Sequence, residues 1–293
     1  MNTAKILAPI TGDKLFQQRA RAALPLLVRQ ARAGTPITYG DLAAELGMPN
    51  ARNLNHVLGS IGKSLKLLSK AWKEKVPPIQ CLVVNGATGL PGEGIGWFLV
   101  KKEDYKSLPL RKKRAIVEAE LQHIFAYQYW SDVLDSLSLD EVESDFTTIV
   151  SAATGGFGGG EGPEHQALKL YIANHPEIVG LPATSMAGTN ERSLPSGDCL
   201  DVSFERKGIW VAAEVKPGIA SMADITRGIF QCVKYRAVME AVQIAEERAP
   251  NARVVLVLGG ILSQSLISLK NTLGIEVVED VERKIRKQVS TRK

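Results

Sequence analysis

Cys199-Leu200-Asp201-Val202-Ser203-Phe204-Glu205-Arg206-Lys207-Gly208-Ile209-Trp210-Val211-Ala212-Ala213-Glu214-Val215-Lys216 sets two apolar runs on either side of a turn-forming Lys-Gly pair. That spacing predicts a β-hairpin, Cys199–Phe204 and Ile209–Lys216. Ile209–Ala213 reads as a buried strand, yet it runs into Glu214 and Lys216. Charges there are costly unless paired or metal-bound. Strand residues i and i+2 share a face, so Glu214 and Lys216 point the same way. With a two-residue turn, Arg206 opposes Ile209 and Asp201 opposes Glu214, with Cβ atoms about 4.5–5.5 Å apart. Two carboxylates that close repel unless a cation lies between them. A Mg²⁺ ion bridging Asp201, Glu214 and the Val215 carbonyl, with Lys216 beside a water, answers that repulsion. The same acid-x-Lys pattern in Asp104-Tyr105-Lys106 and Glu282-Arg283-Lys284 has polar surroundings and reads as solvated.

Working outward, Pro163–Asn174 reads as a helix with proline at its start. After the hairpin come a helix from about Asp224 to Glu247, a buried strand Arg253–Leu258, a helix Ser263–Leu273 and a strand Ile275–Val278. The order α, β, β, α, β, α, β predicts an α/β fold, a mixed sheet flanked by helices. The basic tail Arg283–Lys293 reads as a fraying end.

Over roughly residues 163–280 this pattern resembles the PD-(D/E)XK nuclease superfamily, the restriction-endonuclease-like fold. Gly197-Asp198-Cys199-Leu200-Asp201-Val202 matches that family's metal-binding Asp at a strand start, although Leu200 stands where Pro is common. Ala213-Glu214-Val215-Lys216 matches its E-x-K strand. Gln231 and Tyr235, in Gln231-Cys232-Val233-Lys234-Tyr235, match its Gln-and-aromatic signature. The resemblance implies Mg²⁺-dependent phosphodiester hydrolysis, with Mn²⁺ able to substitute. It implies Asp201, Glu214 and the Val215 carbonyl as ligands, Lys216 and Gln231 as further catalytic residues, and an acid at the preceding helix, Glu164 or else Glu161, assisting the metal.

Charge is segregated. Residues 1–118 carry 19 Lys and Arg against 8 Asp and Glu, and the remainder carries 17 against 23. A basic half of that size favours a polyanion partner, because each cation placed at a phosphate releases counterions. Asp13–Ala33 has apolar residues at helical spacing and ends at Gly34. Thr38-Tyr39-Gly40-Asp41 resembles a capping box with Asp for Glu. It opens a short helix, Asp41–Leu46, and Gly47 ends it. Pro49-Asn50 opens a third helix on which Leu54, Val57, Leu58 and Ile61 form a stripe. This predicts helix-turn-helix. Ile79–Asn85, a turn at 86–89 and a return strand Trp97–Val100 predict a wing, and Ala115–Leu137 reads as helical. Arg52, Asn53 and His56 are then the base-reading side chains, and Lys63 and Lys66 contact phosphates. Thr38–Ala43, Ala51-Arg52 and Ile79–Asn85 also resemble the winged-helix part of alkylguanine-DNA alkyltransferases and alkyltransferase-like proteins. That family's reactive Cys falls on Gln80 and its His on Cys81. The resemblance therefore implies DNA binding, with base extrusion or sensing of a modified base, rather than alkyl transfer.

Six glycines within residues 155–162 mark a linker. The expected organisation is a basic winged-helix domain, 1–118, a helical and Gly-rich linker, 119–162, and a nuclease domain, 163–293. His123, His165 and His175 lack partners at ligand spacing and read as surface residues, although His165, beside Glu164, is within reach of the site. The three cysteines, Cys81, Cys199 and Cys232, form no CxxC pair and no disulfide framework, and read as small packing groups. No apolar run approaches the ~20 residues of a membrane span. With no signal segment, a cytoplasmic protein is expected. The expectation is a DNA endonuclease serving restriction or another anti-invader defence. Its expected partners are double-stranded DNA, a second copy of the chain in a homodimer, and a cognate DNA methyltransferase acting on the same site. Its rivals are a repair nuclease for modified or damaged DNA and a non-catalytic DNA-binding regulator.

Overall fold

The computed structural model describes residues 8–100, 105–142, 145–154, 162–206 and 208–291. They form two compact units that divide between residues 144 and 145. Among the described residues no helix is long and apolar enough to cross a membrane.

The first unit is mostly helical: α1 (Leu15–Ala33), β1 (Ile37–Thr38), α2 (Tyr39–Glu45), α3 (Leu54–Trp72), β2 (Val83–Val84), α4 (Gly96–Leu99), α5 (Leu110–Ala126) and α6 (Trp130–Ser136). Gly34 ends α1 at φ 68°, in the left-handed region where glycine carries no Cβ penalty. The Thr38 hydroxyl oxygen accepts from the Asp41 N–H at 3.1 Å, as its spacing predicts. The wing is not formed. Ile79–Leu82 is a 3₁₀ turn, and only Val83–Val84 is extended, pairing in parallel with β1. The expected return strand is helix α4. Ile79 through Val84 are buried throughout. An apolar run without a solvent face carries no periodicity, so strand and buried turn read alike. Gly96 opens α4 pressed against Tyr105, where a Cβ would lie 2.4 Å from that side chain. The helical reading of Ala115–Leu137 resolves into α5 and α6, both in this unit. The glycine run expected as a linker lies, but for Gly162, outside the described residues.

The second unit is a mixed α/β layer structure. It contains α7 (Thr147–Thr154), α8 (Pro163–Asn174), β3 (Thr189–Ser193), β4 (Cys199–Arg206), β5 (Ile209–Lys216), α9 (Met222–Ala245), β6 (Arg253–Leu258), α10 (Gln264–Thr272), β7 (Glu276–Val278) and α11 (Val281–Thr291). The five strands lie in sequence order. β3, β4 and β5 run antiparallel, and β5, β6 and β7 run parallel. Alternation along β5 feeds two cores. Trp210 and Ala212 join Ile229, Cys232, Tyr235 and Leu266 of α9 and α10. Val211, Ala213 and Val215 join Leu168 and Ile172 of α8. Cys81 and Cys232 are buried as expected, whereas Cys199 is exposed at the start of β4. The tail read as fraying is largely the helix α11.

Candidate active site

The hairpin register places Arg206 opposite Ile209, as the turn spacing predicts. The β4–β5 pairing then stops at Val202–Ala213, one step short of Asp201. There β4 breaks its alternation. Leu200 and Val202 should share a face, yet they enter cores on opposite sides of the sheet. On β3, Glu191 has φ 56° and sits between the paired residues Asn190–Val202 and Arg192–Leu200. Such an irregularity re-aims a side chain. Asp201 therefore does not face Glu214 squarely across the ladder. Its Oδ2 accepts the Val215 N–H at 2.8 Å, so a side chain takes the place of a strand partner.

Glu214 and Lys216 point toward α9, as strand alternation requires. Lys216 Nζ donates to Glu214 Oε1 at 2.6 Å and to Gln231 Oε1 at 3.3 Å. Gln231 Nε2 donates in turn to the Tyr235 hydroxyl at 3.2 Å. Gly228, one turn before Gln231, lets α9 approach: a Cβ there would lie 3.0 Å from Lys216 Cε and from a Leu256 methyl. Asp201, Glu214, Val215, Lys216, Gln231 and Tyr235 are thus joined by a chain of hydrogen bonds and neighbouring residues. Glu164 is not joined to it. That carboxylate is exposed on the first turn of α8, and Glu161, the alternative acid, lies outside the described residues.

Two α8 residues reach the site: His165, expected at the surface but only 16% exposed in its side chain, and Lys169, which the sequence reading did not single out. His165 Nε2 lies 2.9 Å from the Val215 carbonyl oxygen and 3.5 Å from Asp201 Oδ2. Lys169 is buried, with Nζ 2.9 Å from Glu191 Oε1 and 3.9 Å from Asp201 Oδ1. A signal was present, because His165 and Lys169 share the helical stripe of Leu168, Ile172 and Ala173 that packs on the sheet. A lysine on such a stripe is rarely buried without a partner.

The donor set bears on a metal. Asp201, Glu214 and the Val215 carbonyl are oxygen donors suited to a hard divalent cation. The Asp201 and Val215 oxygens already converge on one nitrogen, His165 Nε2. Among the described residues no three His, Cys, Asp or Glu side chains are gathered closely enough to hold an ion as they stand. The donors thus fit the expected cation in kind, with Glu214 turned to Lys216. Burial, then the neighbouring Asp201 charge, push the Glu214 carboxyl up to about 7 against the opposing pull of Lys216. Burial likewise holds the Tyr235 phenol and the Cys232 thiol well above their ordinary values, so both stay protonated.

The Glu214 shift has a consequence for stability. Between the ordinary value near 4.5 and about 7, the folded protein binds a proton that the unfolded chain has released. The stabilising contribution is complete below that window and is lost as pH rises through 7. Glu214→Gln is therefore expected to flatten the pH dependence between 4.5 and 7 and to be more stable than wild type at pH 8. Urea midpoints across pH 4–8 check this, and parallel wild-type and variant profiles would refute it.

No protein-family model, no curated protein and no solved structure matches this chain. Its reading rests on its own residues.

In the first unit, Arg52 and Asn53 stand exposed on a 3₁₀ turn that precedes α3 rather than on the helix itself. His56 is half-buried, its ring 6.2 Å from that of Phe16. Lys63 and Lys66 are exposed along α3, with Lys70 one turn further. This is a basic stripe, whereas Arg52, Asn53 and His56 do not form one face of a recognition helix.

Proposed function

We propose that this chain is a Mg²⁺-dependent DNA endonuclease, with Mn²⁺ able to substitute, and that it serves restriction or another anti-invader defence. The observation that carries the reading is the convergence of Asp201, Glu214, Lys216 and Gln231 at the ends of β4 and β5 and on α9. These residue types suit phosphodiester hydrolysis. Asp201, Glu214 and the Val215 carbonyl would hold the ion. When bound, the ion supplies positive charge to the scissile phosphate and an acidified water.

The chain's own residues do the rest. The Val215 N–H fixes the Asp201 carboxylate. Glu214 and Gln231 hold the Lys216 ammonium, which is positioned to donate to a phosphate oxygen or to an attacking water. Tyr235 sets the Gln231 amide by accepting from its Nε2. The exposed Lys63, Lys66 and Lys70 of the first unit supply phosphate contacts that carry no sequence information. One such site cuts one strand, so double-strand cleavage calls for a homodimer. A methyltransferase acting on the same sequence would then protect host DNA.

Long unmodified duplex DNA and the same DNA carrying methylated or alkylated bases, each incubated with Mg²⁺ or with EDTA, test the reading. Discrete fragments from unmodified DNA, absent in EDTA, are expected. Cleavage confined to modified DNA would shift the role to repair. Intact DNA in every lane, with a retained mobility shift, would make the protein a regulator.

A further inference from the structure

α8 packs on β4 and β5 through Leu168 and Ile172. That seats Lys169 over the strands, 3% exposed. Its Nζ meets two carboxylates, Glu191 Oε1 at 2.9 Å and Asp201 Oδ1 at 3.9 Å. The pairs Asn190–Val202 and Arg192–Leu200 leave Glu191 and Asp201 at the same level of the β3–β4 ladder. Two acids at one level of adjacent strands repel, and the Lys169 ammonium lies against both. The two Asp201 oxygens are therefore divided. Oδ1 is turned to Lys169, and Oδ2 accepts the Val215 N–H at 2.8 Å. Glu191 differs in having a side chain that is 61% exposed. Taking an ammonium out of water is costly even when it is paired. An apolar residue would extend the stripe of Leu168 and Ile172 without that cost.

We infer that Lys169 is a positioning residue whose ammonium serves as a built-in cation on the Glu191 side of Asp201, leaving the Asp201 carboxylate to bind a divalent ion together with Glu214 rather than with Glu191. The inference rests on the metal-dependent reading proposed above. Without the ammonium, Asp201 and Glu191 form a competing carboxylate pair, which draws a hard cation by its charge. An ion held by that pair is drawn away from Glu214 and Lys216. The ammonium also repels any divalent ion at Asp201, so it lowers the affinity of the site while fixing where the ion goes. Glu191 moderates that repulsion by pairing with Lys169, which keeps the ammonium from closing on Asp201. Lys169 thus acts through Asp201 rather than on the substrate.

The full-length protein, free of metal and DNA, is titrated calorimetrically with Mn²⁺. A neighbouring unit charge changes a carboxylate's proton affinity about tenfold or more, and a divalent ion feels the same field twice over. Lys169→Met is therefore expected to bind Mn²⁺ about tenfold more tightly than wild type. It should nevertheless cut DNA about 10²-fold more slowly at saturating Mn²⁺, the cost of a misplaced reacting group. Glu191→Gln is expected to bind Mn²⁺ about tenfold more weakly, because the ammonium then turns to Asp201 alone. The double variant should return toward wild-type affinity. A merely structural lysine would weaken binding and cleavage together, through lost folding, and would leave Glu191→Gln, at an exposed side chain, silent. Should Lys169→Met not fold, the Mn²⁺ affinity of Glu191→Gln carries the test. Asp201→Asn separates this inference from the reading beneath it. Mn²⁺ binding that is absent from wild type, or indifferent to Asp201→Asn, overturns the metal site and this inference with it. Binding lost in Asp201→Asn but unchanged in Lys169→Met and Glu191→Gln overturns this inference alone.

Discussion

Lys216→Met is expected to lower cleavage about 10²–10³-fold, the usual cost of removing a donor aimed at developing charge, while DNA binding and folding persist. Methionine is the informative replacement. The Lys216 stem packs against α9 at Gly228, where a Cβ would lie 3.0 Å from Lys216 Cε. Methionine keeps most of that stem and removes only the ammonium, whereas alanine would also open a gap. The loss strands Glu214, which is 2% exposed and has Lys216 as its ion-pair partner. An isolated buried carboxylate is costly, so Glu214 takes up a proton and the fold survives. Single-turnover cleavage at saturating protein separates this chemical loss from weakened binding, which a mobility shift reads independently. Activity within tenfold of wild type would remove Lys216 from the chemistry. Asp201→Asn should show a comparable defect, because an amide oxygen can still accept the Val215 N–H but carries no charge.

Much of the second unit was legible because its signals are local. The β4–β5 turn, the buried strand β6 and the long helix α9 follow from turn residues and apolar periodicity alone. β3 was not legible. Thr189–Ser193 is polar, and none of its residues is fully buried, so it forms an edge strand through ladder hydrogen bonds that composition does not record. Its kink at Glu191 was equally hidden, and with it the turning of Asp201 away from Glu214. A regular two-residue register is the simplest inference from spacing, and it holds from Arg206 to Val202 and then ends before Asp201. Placing the helix acid at Glu164 erred differently. Helical spacing aims His165, the next residue, at the sheet, while Glu164 remains in solvent. In the first unit the capped helices were legible, but the wing was inferred from Ile79–Val84, where complete burial erases the distinction between strand and turn.

Trp210→Ala is expected to destabilise the second unit by about 3–5 kcal/mol, as large-to-small changes of buried aromatics do. Trp210 is 2% exposed in the core between the sheet and α9. Its Nε1 donates to Ser203 Oγ at 2.8 Å across the hairpin. The Arg192 guanidinium lies 4.2 Å from its ring centroid, tying β3 to the same side chain. One residue thus joins the three antiparallel strands that carry Asp201 and Glu214. Against a typical total of about 5–15 kcal/mol, the loss is large enough to leave the unit partly unfolded at 37 °C. Trp210→Phe keeps most of the packing and forfeits the Ser203 bond, so about 1–2 kcal/mol is expected. Urea midpoints quantify both, and amide exchange should show lost protection confined to residues beyond 145. The two kinds of variant then diverge with temperature. Trp210→Ala loses cleavage because strands β4 and β5 come apart, so cooling to 15 °C restores it. Lys216→Met stays folded and inactive at both temperatures. Recovery of both on cooling would mean that Lys216 supports the strand rather than the reaction.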